Sequence, residues 1–422
     1  MQMFEIVGGN RLKGSIEIGG AKNAALPIMA ASILVEGETV LRNVPDLADV
    51  RQMITLLNRL GVKTHRADDG ALHLTVEDEM NAHAEYELVS KMRASVCVLG
   101  PLLAKRRRAQ VSMPGGCAIG DRPIDLHLLG LQTLGADFEL VGGDVLLRAK
   151  KLKGADVFLG GPFGSSVTAT ANVMMAATLA QGRTIISAAA CEPEVVDLAD
   201  YLVACGAQIT GQGTPEITIE GVESLRGCQH NVIADRIEAG TFMIAGAITN
   251  GDLELRGARI DHMRAFVDRL RRVGVIIETG EKGMMVSSAR RLEPVVITTQ
   301  PYPGFPTDLQ AQAMSLLCLA DGNSVITEKI FPDRFLHVAE LSRMGANLRK
   351  EGPTVIIQGV KKLIGAQVMA SDLRASAALI LAGLIAKGTT RVHRAYHIDR
   401  GYEKIEEKLS AVGANIRRLN EG

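Results

Sequence analysis

Two apolar patterns alternate along the chain. Residues 24–34 are apolar on every side, which fits a helix enclosed by protein, and residues 37–41 then read as a turn into a strand. Val50, Met53, Ile54, Leu57 and Leu60 follow at helical spacing, so a second, amphipathic helix closes on Gly61 before a strand opens at Val62-Lys63-Thr64. The same order recurs after Gly182 (RTIIS), Gly251 (DLEL), Gly322 (NSVI) and Gly388 (TTRV). Each segment predicts a strand, an enclosed helix, a strand, an exposed helix and further strands, an α/β arrangement.

An apolar-Gly-apolar step ends six segments: Leu60-Gly61-Val62, Leu134-Gly135-Ala136, Cys205-Gly206-Ala207, Val273-Gly274-Val275, Met344-Gly345-Ala346 and Val412-Gly413-Ala414. Their glycines are 68 to 74 residues apart. One such glycine is an ordinary helix C-cap; six at this interval define a repeat. Polar residues mark the start of each enclosed helix at a similar distance before the glycine: Lys22, Arg93, Ser166, Arg236, Asp308 and Arg374. Helix N-termini present unpaired N–H groups and partial positive charge, so Ser166 and Asp308 read either as caps or as ligand contacts. Capping does not explain Lys22, Arg93 or Arg374, because a cation there opposes the helix dipole, and an anionic ligand would account for them.

Three glycines within six residues mark the loop Pro114-Gly115-Gly116-Cys117-Ala118-Ile119-Gly120-Asp121-Arg122-Pro123, which suits a lid more than a core. Cys117 there reads either as a thiol activated by Arg122 or as a small apolar filler, and spacing leaves both open. Residues 160–164 do not match a dinucleotide fingerprint, and the chain has no G-x-x-x-x-G-K-[ST] run. The six cysteines form no C-x-x-C pair and have no His at zinc-ligand spacing, which argues against a disulfide framework and a structural zinc.

At 422 residues and 47% hydrophobic content the chain supports two or three domains. Its 47 basic and 47 acidic residues cancel, so no global field gathers nucleic acid or an anionic membrane. The strongly apolar stretch 377–386 is half a bilayer span, and the first residues lack a secretory pattern, so a cytoplasmic location is expected.

Several motifs together resemble the enolpyruvyl transferases: Gly19-Gly20-Ala21-Lys22-Asn23, Lys91-Met92-Arg93-Ala94-Ser95, the Cys117 loop running into Arg122-Pro123-Ile124-Asp125-Leu126-His127, Phe305-Pro306-Thr307-Asp308-Leu309-Gln310, Arg334-Phe335, Ser371-Asp372-Leu373-Arg374 and Asp399-Arg400-Gly401. The resemblance runs from end to end, and the Cys117 loop is similar to the UDP-N-acetylglucosamine 1-carboxyvinyltransferase branch. It implies a two-lobed inside-out α/β barrel of six repeats, with 22–230 in one lobe and 1–21 with 231–422 in the other. The implied reaction moves the enolpyruvyl group of phosphoenolpyruvate to the 3-hydroxyl of UDP-N-acetylglucosamine, the first committed step of peptidoglycan synthesis.

By the same resemblance, Cys117 is the proton donor and fosfomycin target, and Asp308 is the base. Lys22, Arg122 and Arg400 meet phosphoenolpyruvate with Asn23 alongside, and Arg334, Asp372 and Arg374 are further active-site residues. Arg93, the run Arg122, Pro123, Ile124, Asp125 and Leu126, the turn Ser165-Ser166-Val167, Asp308 and Ile330 meet the nucleotide sugar. No cofactor, metal, nucleic acid or membrane is implied. Two positions depart from the family: Thr168 stands where Gly is frequent, and Ala48 where some members have Lys. A shikimate-type enolpyruvyl transferase, an inactive paralogue and a non-enzymatic anion-binding scaffold are the alternatives.

Overall fold

The computed structural model describes residues 2–113, 123–288 and 291–420, so Cys117 and Arg122 lie outside the described residues. The chain forms two compact units, one of residues 20–113 and 123–233, the other of 2–19 and 234–420. Their boundaries fall at 19/20 and 233/234. Backbone bonding sets them: the Gly19 carbonyl accepts from Asp235 N–H at 2.8 Å in one unit, and the Ile233 carbonyl accepts from Ala21 N–H at 2.7 Å in the other.

Each unit holds three four-stranded sheets of one design, in which an edge strand pairs parallel with its neighbour and the remaining pairs are antiparallel. In the first sheet Gln229–Asn231 runs parallel to Glu38–Arg42, followed by Leu72–Val76 and Val62–Arg66. In the other unit the N-terminal strand Gln2–Val7 lies between Thr389–His393 and Asn415–Asn420, so the start of the chain completes the last sheet. The strand Lys13–Glu17 then supplies the parallel edge for Asp252–Arg256.

Among the described residues six helices are largely buried: Lys22–Ala31, Leu99–Arg106 (over its first five residues) and Val167–Ala177 in one unit, and Arg236–Ile248, Gln310–Leu317 and Leu373–Ile385 in the other. Every residue of the fourth after Arg236 is buried, and so is every residue of the sixth from Arg374 to Leu384. Such helices have no polar face to offer water and must be walled in. Small residues let them pack closely; a Cβ on Gly100 would stand 2.2 Å from the Asn172 carbonyl oxygen. Each unit has its own continuous apolar core.

Amphipathic helices alternate with these. Arg264–Val273, for example, buries Phe266, Val267, Leu270 and Val273 and turns its arginines outward. All six marker glycines following these helices have left-handed backbone, with φ of 80° at Gly61, 98° at Gly135, 106° at Gly206 and Gly274, 88° at Gly345 and 102° at Gly413. Three details differ from the sequence pattern. The helix expected over 24–34 ends at Ala31 and continues as a 3₁₀ turn, Ser32–Leu34. Into the Asp399-Arg400-Gly401 motif runs the 3₁₀ helix Ala395–Arg400, which no periodicity marks in the sequence. In the second segment the turn into its strand Arg108–Ser112 is made by Arg107 at φ 58°, without the glycine that marks this turn elsewhere.

Two glycine substitutions separate strain from collision. A Cβ on Gly345 meets nothing, so Gly345→Ala should cost about 1–2 kcal/mol from its left-handed backbone alone. At Gly61 a Cβ would lie 2.1 Å from the Asp78 carbonyl oxygen, so Gly61→Ala should cost more. Urea denaturation of both variants measures the difference, and equal losses would contradict the assignment.

Candidate active site

The polar residues expected at enclosed-helix starts are found there. Lys22 and Arg236 open their helices, Ser166 is an N-cap, Arg374 is the second residue of its helix, and Arg93 and Asp308 stand in 3₁₀ turns that lead into theirs. Ser166 Oγ accepts from Ala169 N–H at 3.3 Å, as a cap does. Asp308 caps nothing. Its carboxylate lies between two guanidiniums, accepting from Arg334 Nη1 at 2.7 Å and from Arg374 Nη2 at 2.9 Å.

The Arg334 and Arg374 side chains are only 8% and 4% exposed, against 26% for Asp308, so the cluster keeps its carboxylate edge nearest to solvent. Burial opposes ionisation of Asp308, but Arg374 and Arg334 outweigh it and hold the acid well below the usual carboxylate range. Two residues without a sequence signal brace the cluster. Tyr402 Oη lies 3.2 Å from Arg374 Nη1, 2.7 Å from Thr241 Oγ1 and 3.3 Å from Gln312 Nε2. The buried Glu328 accepts from Thr307 Oγ1 at 2.9 Å and from Ile330 N–H at 2.8 Å, and Thr307 in turn accepts from Arg334. Ile330 is thereby positioned through backbone bonding. Asp372 caps the helix of Arg374, accepting from Arg374 N–H at 2.9 Å and Ala375 N–H at 3.1 Å. Nearby His337 is buried with Nε2 unpartnered, and burial lowers its pKa to about 4.

Arg400 closes the 3₁₀ helix Ala395–Arg400 and is half-buried. Its neighbour Asp399 is held by Arg418 through contacts of 2.8 and 2.6 Å.

In the other unit Lys22 Nζ lies 3.1 Å from Asp49 Oδ2, both largely buried, so a carboxylate offsets the cation at that helix start. Ala48 opens the helix that carries Asp49, and Asn23 is half-buried beside Lys22. Arg93 is half-buried at the start of its 3₁₀ turn. The hairpin of Gly160–Gly161 and Gly164–Ser165 leads into Ser166 and Val167, and Leu126 closes on it, 3.1 Å from where a Cβ of Gly161 would stand. Pro123, Ile124 and Asp125 lead into Leu126 at the start of the helix Asp125–Thr133, so the structure brings this run and the Ser165-Ser166-Val167 turn together.

One network fixes the turn's polarity. Asn172 Oδ1 accepts from Gly100 N–H at 2.7 Å, so its Nδ2 is the donor to Val96 O at 2.9 Å and to His127 Nδ1 at 2.8 Å. His127 therefore carries its proton on Nε2 and donates to Thr168 Oγ1 at 3.1 Å. The Thr168 hydroxyl, absent when Gly stands there, is left with its own proton to donate. A separate shallow cleft lined by Arg259, Asp261, Arg264, Arg271 and Lys282 holds none of the expected site residues. The described residues contain no group of three or more His, Cys, Asp or Glu placed to hold a metal ion.

Comparison with known proteins now decides the family. The sequence profile described as EPSP synthase (3-phosphoshikimate 1-carboxyvinyltransferase) matches residues 6–409. The chain belongs to the EPSP synthase family. Among members of that family, it is 52% identical to the UDP-N-acetylglucosamine 1-carboxyvinyltransferase of Methylacidiphilum infernorum (isolate V4) over 99% of both chains. It is 51% identical to the enzyme of the same name from Lawsonia intracellularis over 100% of both. Of solved structures, the enolpyruvyl transferase NikO from Streptomyces tendae covers 100% of this chain, and 99% of its own, at TM-score 0.90 and 25% identity. EPSP synthase from Acinetobacter baumannii aligns over 100% of both chains at TM-score 0.77 and 20% identity, a likeness of fold.

The clasp on Asp308 is open to a stability test. Asp308→Asn leaves two buried guanidiniums without their counter-charge and should cost about 3 kcal/mol at neutral pH. The native acid has a lowered folded pKa, so its contribution is full above the unfolded carboxylate value and is lost as pH falls through the folded one. Urea melts should show a wide gap between parent and variant above about pH 5 that narrows on acidification. A pH-independent gap would mean that the charge is not what is lost.

Proposed function

We propose that the chain transfers the enolpyruvyl group of phosphoenolpyruvate to the 3-hydroxyl of UDP-N-acetylglucosamine and releases phosphate. The observation that carries this reading is the end-to-end identity above 50% with relatives named for that activity. A shikimate-type acceptor is supported by the description of the family profile and by a fold likeness at 20% identity, which weigh less than end-to-end identity above 50%. On the same reading each unit is a barrel of three repeats with helices inside and sheets outside, and the enzyme works in the cytoplasm at the first committed step of peptidoglycan synthesis. No helix among the described residues is long and apolar enough to cross a membrane.

The chemistry is addition followed by elimination. Cys117 delivers a proton to the methylene carbon of phosphoenolpyruvate, which makes the adjacent carbon electrophilic, and the sugar hydroxyl adds there to give a tetrahedral ketal. Lys22, Arg122 and Arg400 meet the phosphate and carboxylate, whose charge redistributes as the ketal forms. Asp308 takes the hydroxyl proton. Its low pKa makes it a weak base toward a resting alcohol, but a hydroxyl becomes strongly acidic as its oxygen bonds to carbon, so the carboxylate accepts the proton when the bond forms. Loss of a methyl proton and of phosphate from the ketal then yields the enol ether. Arg334 and Arg374 orient Asp308, Asp372 caps the helix of Arg374, and Asn23, Arg93, residues 122–126, 165–167 and Ile330 hold the substrates.

Phosphate release tests this directly. It should depend on UDP-N-acetylglucosamine together with phosphoenolpyruvate and fail with shikimate 3-phosphate; the opposite preference would give the acceptor to the shikimate class, and no release with either would favour a scaffold. Asp308→Asn should lower turnover by roughly 10²–10⁴-fold with nucleotide-sugar binding largely retained, as loss of a general base requires. Turnover near the parent rate would remove Asp308 from proton transfer.

A further inference from the structure

Two cysteines that the transfer reaction does not use face each other in the unit of residues 20–233. Cys205 follows the helix Pro193–Ala204, and Cys228 precedes the strand Gln229–Asn231. Backbone bonds hold both in place without help from the sulfurs. Arg226 N–H donates to the Cys205 carbonyl at 2.8 Å, and Val40 N–H donates to the Cys228 carbonyl at 2.9 Å. The short strand Leu225–Arg226 is itself paired with Val35–Glu36.

The sulfurs are 3.2 Å apart, so a disulfide needs an approach of about 1 Å to reach bonding distance. Access is unequal: Cys205 is 3% exposed, whereas Cys228 is half-buried between exposed Gly227 and Gln229. His230 stands near Cys228, its Nε2 2.9 Å from Asp197 Oδ1, and its ring packs edge-on to Tyr201 at 5.7 Å.

We propose that Cys205 and Cys228 form a redox-active dithiol that takes hydroperoxides as oxidant, with Cys228 the attacking sulfur and Cys205 the resolving one. The Cys228 thiolate attacks one peroxide oxygen, the O–O bond breaks, and the leaving hydroxide takes a proton to become water, leaving a sulfenic acid. The Cys205 sulfur then attacks the Cys228 sulfur, an S–S bond forms as S–O breaks, and the departing hydroxide takes the Cys205 proton as a second water. Two thiols lose two electrons and hydrogen peroxide gains them.

The electrostatics favour that division of roles. The hydrogen bond from Cys205 lowers the pKa of Cys228, with burial opposing and His230 assisting, while the same bond and then burial push Cys205 far up. Elsewhere burial raises Cys191 and pushes Cys318 up to about 12. The thiolate is the reactive form, so Cys228 stands apart from both.

Peptide mapping without reduction, after treating the full-length chain with stoichiometric hydrogen peroxide, tests the proposal. A Cys205–Cys228 linked peptide should appear, lighter by two hydrogens than its reduced parts, and dithiothreitol should restore both thiols to alkylation. In Cys205→Ser, dimedone should trap a sulfenic acid at Cys228; in Cys228→Ser, Cys205 should remain reduced. Recovery of both wild-type thiols as alkylated monomers, a link through another cysteine, or equal oxidation of Cys205 without Cys228 would overturn it. If either Ser variant fails to fold, the wild-type map alone decides. Transfer activity is not a readout, so the result stands whatever the acceptor proves to be.

Discussion

A helix buried on all faces can exist in water only if other elements surround it, and Arg236–Ile248 and Leu373–Ile385 are buried over nearly their whole length. Within each unit the four-stranded sheets and the amphipathic helices pack against these helices and share their apolar core. Polar side chains inside the helix bodies, such as Asn172, Thr241 and Gln312, are hydrogen-bonded within the protein, and charged ones gather near the helix ends. The N-terminal turns are where backbone N–H groups also point outward, and both conditions make these ends the natural place for anion chemistry.

A cation at such an end is unfavourable until something negative meets it. In the free protein a carboxylate already does so: Asp49 for Lys22, and Asp308 for Arg374 and Arg334. The sequence argument that these cations await an anionic ligand was therefore incomplete, since internal partners hold them in place beforehand. On the proposed function, such partners keep the charges oriented before any substrate arrives, so little reorganisation is left for the reaction itself. They also set the character of Asp308, which two guanidiniums turn from an ordinary acid into a persistent anion.

Much of the fold was legible because its repeat is written in local rules. A left-handed helix end needs glycine, and six glycines declared six helix ends. Where a non-glycine residue accepts that conformation, as Arg107 does, the signal vanished and the second segment's strand went unread. The helix-start residues were legible by their regular distance from those glycines. Their partners were not: Tyr402, Glu328, Asp49 and Asn172 reach the residues they support, each within its own unit, through tertiary packing that no local pattern encodes. The same limit hid Cys228, which no motif sets apart until folding places Cys205 beside it.

The central claim is that the chain carries out an addition–elimination that passes through a ketal bearing a methyl group. Running the reaction in D₂O with phosphoenolpyruvate and UDP-N-acetylglucosamine, and reading the vinyl methylene of the product by NMR, tests it most directly. The account predicts deuterium at that carbon, because a solvent-derived deuteron enters the methyl group and a hydrogen isotope leaves it again. An enolpyruvyl product whose methylene carries protons only, or no sugar-nucleotide product at all, would contradict it.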